Sequence, residues 1–560
     1  MDENKEIAER LTYQTRLMEV LSEDQYRIGA YKNAVNILKK LETPVSELLA
    51  EETLGDIDGI GNSIVDAVQS IHTTGTTPHI LELEAKIPEG VIEMLGISGL
   101  GPRKVAIIWK EMGIESPGEL YYACLENRLV ETRGFGLKTQ EKLLRTLEFL
   151  RANENKFLYA QAYPHLEHVL GMIEKNLGPD ARIEPTGQMR RKLPVVEKIE
   201  LIAEPDLYKQ IMLMLIRSEE YEIMTAGSDL LQATVRGTRI HIDFHFQGID
   251  FYRQLFETTG PKAHTELIPL EDGHIYRSEK EIYDLARLPY IPPVLREGAG
   301  EIRKTYRNAV PQLIRSQDIK GLLHVHSTWS DGRHSIKEMA EAAREMGMGY
   351  LGLTDHSQSA FYANGLSPER VQAQHKEIEK LNQEWSDFRI LKGIESDILP
   401  NGELDYDPIL LSSFDFVIAS VHSHLNMTKE QATERLLKAI KNPFTNILGH
   451  PTGRLLLSRP GYELDFPTII QACAEYQVAI ELNSNPNRLD LDWKWIRYAV
   501  DLGVMIAINP DAHRKESLGD FQWGIPIAQK GMLSPALTLN TRSLDEIEEW
   551  FLSKRKRRIA

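Results

Sequence analysis

Apolar and polar residues are patterned along this chain in three successive ways. Up to about residue 150, short amphipathic stretches with helical spacing are separated by glycines, which predicts a helical region. The pattern then becomes mixed α/β up to about residue 315. It predicts two strands and three helices, near residues 196–203 and 233–246, and near 157–176, 206–217 and 249–257. From about residue 316 onward, apolar strands alternate with helix-length segments. The chain is therefore predicted to be multidomain.

Seven apolar stretches in the last part of the chain have the character of buried strands. They are GLLHVHS, GYLGLTDHS, FRILKGIES, FDFVIASVHSH, NILGHP, VAIELNSN and VMIAINPDAH. Strands separated by helices imply parallel βαβ units, and seven in succession favour a barrel surrounded by helices.

Composition narrows the class of protein. With 42% hydrophobic and 26% charged residues among 560, the chain is typical of a folded globular protein. The net charge of −17 argues against a protein that coats nucleic acid non-specifically, although it leaves local basic surfaces open. Two cysteines, Cys124 and Cys473, fit a reducing compartment, and we expect a cytoplasmic protein. Since apolar runs fall short of the roughly 18 residues of a membrane span, we expect no membrane insertion.

A Gly-apolar-Gly motif occurs three times in the helical region, each time before an amphipathic helix. The copies are Gly59-Ile60-Gly61, Gly99-Leu100-Gly101 and Gly134-Phe135-Gly136. Such a turn can approach another backbone closely and leaves the amides of the next helix free to hold a phosphate. A single copy is more typical of an ordinary helix C-cap than of a binding turn. The repeated pattern resembles the helix-hairpin-helix, a sequence-independent DNA binder, and the resemblance implies DNA contacts at these glycines and at Arg103 and Lys104.

Side chains suited to metal binding fall at the ends of the predicted barrel strands. They are His324, His326, Asp331, His356, Glu395, His422, His450, Asp511 and His513. The carboxyl ends of parallel barrel strands meet at one rim, so we expect these groups to converge. Burying them without a cation would leave several polar groups unsatisfied, at about 1–3 kcal/mol each. Imidazoles and carboxylates without thiolates suit Zn²⁺, Mn²⁺ or Fe, and nine ligands suffice for two or three ions.

The segments HVHSTWSDG, LTDHS, GIESDI, VHSH, LGHPTGR and NPDAH resemble, in this order, the polymerase and histidinol phosphatase (PHP) domain. The resemblance implies a distorted (β/α)7 barrel whose trinuclear metal site hydrolyses phosphoesters. It implies three ligand sets: His324, His326, Glu395 and Asp511 for the first ion, Glu395, His422 and His450 for the second, and Asp331, His356 and His513 for the third. Within these, Glu395, His326 and Asp511 are the implied catalytic residues. Arg454 is a candidate phosphate contact, since a guanidinium can grip a phosphate through two bonds.

The middle of the chain resembles the bacterial family X DNA polymerase. Gly187-Gln188-Met189-Arg190-Arg191 is similar to a Gly-Ser-x-Arg-Arg segment that binds the triphosphate, and Thr259-Gly260-Pro261-Lys262-Ala263-His264 is similar to a Thr-Gly-Ser-Lys-x-His segment. The resemblance covers essentially the whole chain and implies five parts. They are a helical domain with a helix-hairpin-helix (1–85), a fingers-like region with two more (86–150), a nucleotidyltransferase-like palm (151–257), a thumb-like region and linker (258–315) and the PHP domain (316–560).

The polymerase site departs from the family pattern of Gly-Asp-x-Asp. Lys198 stands at the first aspartate, Glu200 at the second, and the third is retained as Asp243. Gln188 replaces the serine of the triphosphate segment, while Arg191 is kept. An ammonium repels Mg²⁺, and the longer Glu200 displaces a carboxylate in an ion that demands near-ideal octahedral geometry. The sequence therefore predicts a degenerate polymerase site that does not hold Mg²⁺.

Four functions follow from these patterns. The first is a metal-dependent 3′-to-5′ DNA exonuclease in DNA repair, with AP endonuclease cleavage at abasic sites as an extension and polymerase activity lost or weak. The second is a bifunctional DNA polymerase and exonuclease, the third a PHP phosphomonoesterase, and the fourth a DNA-binding scaffold without catalysis. For the first, we expect gapped, recessed or damaged duplex DNA as the partner and a monomeric protein.

Overall fold

A computed structural model describes residues 3–41, 43–130, 132, 134–246, 250–307 and 310–559, with the backbone alone for residues 307 and 553–559. Its contacts divide the chain into two compact units, one up to Glu154 and one from Asn155 onward. The finer division into five parts stays a prediction.

The first unit is helical. Its helices are α1 (Glu3–Leu21), α2 (Gln25–Leu38), α3 (Val45–Ala50), α4 (Asn62–Thr74), α5 (Pro78–Glu84), α6 (Glu89–Leu95), α7 (Pro102–Lys110), α8 (Pro117–Leu125) and α9 (Leu137–Ala152). Apolar residues from all of them, such as Leu11, Val68 and Val105, pack into one buried core. The helical region that the sequence predicts is thus confirmed.

The second unit begins with a mixed α/β region. Its elements are β1 (Phe157–Leu158), α10 (Tyr159–Leu177), β2 (Ile183–Pro185), α11 (Gly187–Arg191), β3 (Val195–Val196), β4 (Ile199–Ala203), α12 (Tyr208–Arg217), β5 (Tyr221–Ala226), β6 (Leu230–Val235), β7 (His241–His245), α13 (Phe251–Thr259), α14 (Lys262–Thr265), α15 (Glu279–Leu285) and α16 (Glu301–Arg307). Five strands form a sheet in the order β2-β4-β7-β6-β5. The three predicted helices are confirmed as α10, α12 and α13.

One predicted strand of this region is wrong. The stretch near 233–246 is not continuous, because β6 and β7 are antiparallel neighbours with Thr234 opposite His241. Gly237, at φ +74°, lies in the turn between them. A left-handed glycine in an apolar run marks the reversal of the chain.

The rest of the second unit forms the barrel. Its elements are β8 (Gly321–Val325), α17 (Ile336–Glu345), β9 (Tyr350–Leu353), α18 (Pro368–Glu384), β10 (Arg389–Asp397), α19 (Pro408–Leu411), β11 (Phe416–Ser420), α20 (Lys429–Lys441), β12 (Ile447–Leu448), α21 (Phe466–Tyr476), β13 (Ala479–Asn483), α22 (Trp493–Asp501), β14 (Ile506–Asn509), α23 (Phe521–Lys530) and α24 (Leu544–Ile559). The seven strands are parallel and lie side by side in chain order. A bridge between Val325 and Ala512 links the first strand to the segment after the last and nearly closes the barrel.

The barrel interior changes from apolar to polar along the strands. Near the amino ends, Leu323, Tyr350 and Phe416 belong to one buried cluster together with Phe551 of α24. The ring of Phe416 occupies space that a side chain at Gly352 or Gly393 would fill, since a Cβ at either position would lie within 2.6 Å of it. The apolar floor leaves the carboxyl ends of the strands as the place for polar groups.

A bulge in β8 sets the direction of His324 and of His326, which follows the strand. Leu322 pairs with Leu351 and Val325 pairs with Leu353, so three steps on β8 match two on β9. The extra residue changes the alternation of the strand, which allows both Leu323 and His324 to be buried with Val325 on the outer side.

No helix among the described residues is both long and apolar enough to cross a membrane.

Candidate metal centre

The nine predicted ligands converge at the carboxyl-end rim of the barrel. Most are buried, and the side chains of His324, His326, Glu395 and His450 are at most 1% exposed. Neighbouring imidazole rings lie close together, with 5.2 Å between the centroids of His324 and His326 and 4.5 Å between those of His326 and His356. The convergence that the strand ends predict is therefore present.

Glu395, at the carboxyl end of β10, lies at the middle of the cluster. Its Oε1 is 3.0 Å from Nε2 of His450, 3.1 Å from Nε2 of His422 and 3.3 Å from Nε2 of His324. Its Oε2 is 3.0 Å from Nδ1 of His356. One carboxylate thus faces four imidazoles from four different segments.

Two further carboxylates complete the cluster. Asp511 Oδ1 lies 3.2 Å from Nε2 of His326 and 3.5 Å from Nε2 of His324. Asp331 Oδ2 lies 3.4 Å from Nε2 of His513 and 3.6 Å from Nε2 of His356. Every carboxylate of the cluster is therefore within direct reach of at least two imidazoles.

Three groups in the rim have ligand atoms that all lie within 4.8 Å of one another. They are His326, Asp331, His356 and His513; His324, His326 and Asp511; and His356, Glu395 and His422. The grouping overlaps the implied ligand sets, but His326 and His356 each belong to two groups. His450 reaches the cluster through Glu395.

The donor atoms of this rim fit a cation. Six of its buried atoms lack a hydrogen-bond partner among the described residues: His324 Nε2, both ring nitrogens of His326, His356 Nδ1, His450 Nδ1 and Glu395 Oε2. Unpaired buried polar atoms are rare in folded proteins, since each costs about 1–3 kcal/mol. Lone pairs of imidazole and carboxylate directed at a common centre are the ligands of Zn²⁺ and related ions.

The charges of the cluster are strongly coupled. Burial alone would raise the pKa of Glu395, but the nearby His422, His324 and His356 hold the pKa of this carboxyl well below its usual value. The pKa of Asp511 is likewise held low, against its burial, chiefly by His324. Burial and the charges of His513 and His356 lower the pKa of His326 to about 3. These pKa shifts favour the anionic forms of Glu395 and Asp511 and the neutral form of His326, which are the forms that bind metals.

Two buried acids outside the predicted set orient the histidines. Glu481, on β13, accepts from His324 Nδ1 at 2.6 Å and from the His450 amide at 2.7 Å. Asp397 lies 2.5 Å from His422 Nδ1. These contacts turn the Nε2 atoms of His324 and His422 toward Glu395. The available sequence signal was a lone acid at an inward position of the apolar stretch VAIELNSN.

Arg454 is engaged elsewhere, which argues against the predicted phosphate contact. Its Nε donates to the Arg488 carbonyl at 3.0 Å, Nη1 to Asp492 at 3.1 Å, and Nη2 to the Leu489 carbonyl. All three nitrogens thus hold the loop that follows β13. A different guanidinium, that of Arg488, reaches the rim, with Nε 3.7 Å from Asp511 Oδ2.

At the polymerase-like site, an ammonium lies between the carboxylates. Neighbouring strands β4 and β7 place Glu200 beside Asp243. Lys198 Nζ lies 2.7 Å from Asp243 Oδ2 and 3.2 Å from Glu200 Oε1. Although burial would lower it, the bond to Asp243 and the charge of Glu200 raise the pKa of Lys198, so the amine is charged. Glu200, Asp243 and His245 nevertheless lie close enough together to form a further candidate metal group.

Residues of the segment that resembles the triphosphate-binding motif are also engaged in contacts within the protein. Gln188 Oε1 accepts from the Glu197 amide at 2.8 Å. Arg191 is buried, donates to the Thr259 carbonyl and lies 3.4 Å from Glu297 Oε1. Glu297 in turn pairs with the fully buried Lys530 of α23. Arg191 therefore belongs to an ion-pair network that joins this region to the barrel.

The three Gly-apolar-Gly turns have the same backbone geometry. Gly59, Gly99 and Gly134 have φ values of +90°, +92° and +93°. Gly61, Gly101 and Gly136 are the N-caps of α4, α7 and α9 and offer no side chain to cap the helix amides. A surface hollow beside the second turn is lined by Gly99, Lys104, Lys138 and Lys142. Arg103 is exposed in the first turn of α7. Free amides and nearby lysines are what a phosphate backbone needs.

Comparisons with known proteins agree with this organisation. Family models match residues 323–485 as a PHP domain, residues 2–77 as a helix-hairpin-helix domain and residues 91–148 as a SAM-like helix-hairpin-helix tandem. The chain is 34% identical to the "DNA polymerase/3'-5' exonuclease PolX" of Bacillus subtilis (strain 168) over 556 residues, which is 95% of this chain and 96% of that protein.

Two other similarities cover less of the chain. A "Probable phosphatase" of Thermoanaerobacter sp. (strain X514) is 29% identical over 251 residues, 42% of this chain and 95% of that protein. The structure of Leishmania infantum polymerase beta in a ternary complex covers 37% of this chain and 98% of its own, at 15% identity and a TM-score of 0.23.

The barrel with its rim of histidines and carboxylates, preceded by helix-hairpin-helix modules, defines an enzyme of the PHP phosphoesterase class that acts on phosphodiester bonds. Similarity to the Bacillus subtilis protein over nearly the full length of both chains narrows the assignment. This chain belongs to the bacterial PolX family.

Proposed function

We propose that this chain is a metal-dependent 3′-to-5′ DNA exonuclease whose barrel hydrolyses phosphodiesters at the rim. The observation that carries the proposal is the rim itself, in which three overlapping groups of imidazoles and carboxylates could each hold an ion and several buried ring nitrogens have no hydrogen-bond partner among the described residues. The name of the Bacillus subtilis relative includes this activity.

Two or three divalent ions, Mn²⁺ or Zn²⁺ or else Fe, would be held by the nine rim residues. Glu395 would contribute both of its oxygens as ligands, since they face different imidazoles. When bound, such ions activate a water molecule and neutralise the charge that develops on the phosphate. His326 and Asp511 supply neighbouring ligand atoms, and Arg488 takes the phosphate-contact role that the sequence had suggested for Arg454.

The first unit would hold the DNA through the backbone amides that follow its three glycine turns. This mode of binding is independent of base sequence, because the contacts are to phosphates. It suits gapped, recessed or damaged duplexes as substrates. We extend the proposed activity to AP endonuclease cleavage at abasic sites. We expect the chain to act as a monomer.

The polymerase activity would be lost or weak. The Lys198 ammonium already forms ion pairs with both carboxylates that would otherwise bind Mg²⁺. The second candidate is a bifunctional polymerase and exonuclease. It is favoured by the proximity of Glu200, Asp243 and His245, which a metal ion could bind if Lys198 moved away.

Chelation is expected to abolish nucleotide release from a 3′-recessed duplex, since the rim supplies ligands rather than a protein nucleophile. We expect release to return on adding Mn²⁺ or Zn²⁺, and elemental analysis of the purified chain to find two or three ions. A phosphomonoester assay run in parallel separates the functions. Release that survives chelation would overturn the metal mechanism, and hydrolysis of monoesters alone would favour the phosphatase.

Glu481→Gln is expected to lower metal affinity and DNA hydrolysis by about 10- to 100-fold, the usual effect of losing a partner of a metal-binding histidine. The amide keeps the shape of the side chain but weakens the bond that orients His324. Metal titration and kcat measure the effect. The matched control is Glu475→Gln on α21, an exposed acid expected to change neither. Equal behaviour of the two variants would show that Glu481 does not position a ligand.

A further inference from the structure

Two consecutive aromatic side chains stand exposed beside the metal-binding rim. Phe361 is 84% and Tyr362 is 70% exposed, both on a single helical turn between β9 and α18. Adjacent large apolar side chains left open to solvent call for an explanation in terms of binding, because burying them would stabilise the protein. We refer to the pair as the aromatic lip.

The aromatic lip adjoins the candidate ligands. The ring centroid of Tyr362 lies 6.1 Å from that of His356 and 6.5 Å from that of His422. Phe361 is its neighbour in the chain and points into solvent. A group attached to a phosphate at the rim would therefore meet an aromatic surface.

The loop that carries the lip is closed and well packed. Leu366 donates its amide to the His356 carbonyl at 2.9 Å, and Ala360 donates to the Ser357 carbonyl at 3.0 Å. Ala360 and Ala363, on either side of the two aromatic residues, are buried. The two buried alanines hold the turn in place while the aromatic rings face outward. The exposure of Phe361 and Tyr362 is therefore a feature of an ordered turn.

The loop is also tied to the ligands themselves. Ser359 Oγ donates to Asp397 Oδ2 at 3.1 Å, and the other oxygen of Asp397 contacts His422 Nδ1. On the other side, Asn364 Nδ2 lies 3.4 Å from the Ser330 carbonyl, next to Asp331. These hydrogen bonds fix the position of the aromatic lip relative to the rim.

We propose that Phe361 and Tyr362 form a stacking platform for the nucleobase of the 3′-terminal nucleotide, whose phosphate lies at the rim. The proposal rests on the proposed nuclease function and adds the determinant that favours a nucleotide over a simple phosphoester. Aromatic side chains stack on any base, because every base has a π-face, so the platform selects for a base without selecting its identity. Phe361 and Tyr362 act on binding and leave the chemistry to the rim.

The test compares two single-stranded oligonucleotides that differ only at the 3′ end, one with terminal thymidine and one with an abasic tetrahydrofuran residue. The measured quantity is the kcat/KM for the thymidine end divided by the kcat/KM for the abasic end. In Phe361→Ala and Tyr362→Ala, we expect this ratio to fall by about tenfold or more, mainly through KM for the thymidine end. Tyr362→Phe keeps the ring and is expected to keep the ratio. The control is Leu552→Ala, which truncates an exposed apolar residue of α24.

The outcomes separate this inference from the nuclease assignment. A ratio unchanged in both alanine variants, or an equal loss on both oligonucleotides, would overturn the platform and leave the nuclease standing. If the wild-type chain hydrolyses neither end, the nuclease function fails and the platform fails with it. Thermal unfolding of each variant verifies that the fold is kept, and a normal melting curve with a lowered ratio supports the platform.

Discussion

Glu395→Gln is expected to lower DNA hydrolysis by at least about 1,000-fold, well beyond the 10- to 100-fold typical of losing an outer partner of a metal ligand. The carboxylate lies at the middle of the rim and contacts His324, His356, His422 and His450. An amide at this position is neutral and donates hydrogen atoms toward the imidazoles, so metal binding loses its central anion. The metal content of the purified variant should fall together with the rate.

The control for this variant is Glu403→Gln, an exposed acid in the loop after the same strand. It is expected to hydrolyse a 3′-recessed duplex at the wild-type rate and to retain its metal. Thermal unfolding should show that Glu395→Gln is folded. A folded Glu395→Gln variant that cuts DNA within tenfold of the wild type would exclude Glu395 as a bridging ligand.

Primer extension is expected to give no template-directed product with either Mg²⁺ or Mn²⁺. The cause is electrostatic, since the Lys198 ammonium contacts both Asp243 and Glu200 where two-metal synthesis needs unpaired carboxylates. The assay is best run in the Glu395→Gln background, in which the nuclease cannot remove newly added nucleotides. Extended primer on a denaturing gel is the measurement.

A paired variant tests the stated cause. Lys198→Asp combined with Glu200→Asp, in the same background, removes the ammonium and shortens the second side chain. Binding of Mn²⁺ at this site is expected to appear in the variant and to be absent from the parent. Robust extension by the parent would contradict the loss of polymerase activity and favour the bifunctional enzyme.

The rim was largely predictable because its signals are local. Histidines two residues apart in GLLHVHS share one face of a strand, and strand ends in a parallel barrel share one rim. The glycine turns were predictable for the same reason, since each needs only a glycine pair and a following helix. Their common φ near +90° at the first glycine is the local geometry that the repeat implies.

Long-range contacts were not predictable in this way. Glu481 is 157 residues from the histidine it orients, and neither residue type nor spacing indicates that pair. Arg454 has the residue type expected of a phosphate contact, yet its donors are taken by Asp492 and the backbone around Arg488. The exposed state of Phe361 and Tyr362 likewise depends on which side of their turn is covered.

Local patterns in the sequence specify the kinds of groups present and the elements that carry them: three glycine turns, seven apolar strands and a set of ligand residues at the strand ends. These follow from periodicity and side-chain chemistry, which act between neighbours in the chain. Tertiary contacts settle which donors remain free, because this depends on partners brought together from distant segments. The β8 bulge that allows both Leu323 and His324 to be buried, the acids behind the histidines and the ammonium between Glu200 and Asp243 all arise at that level.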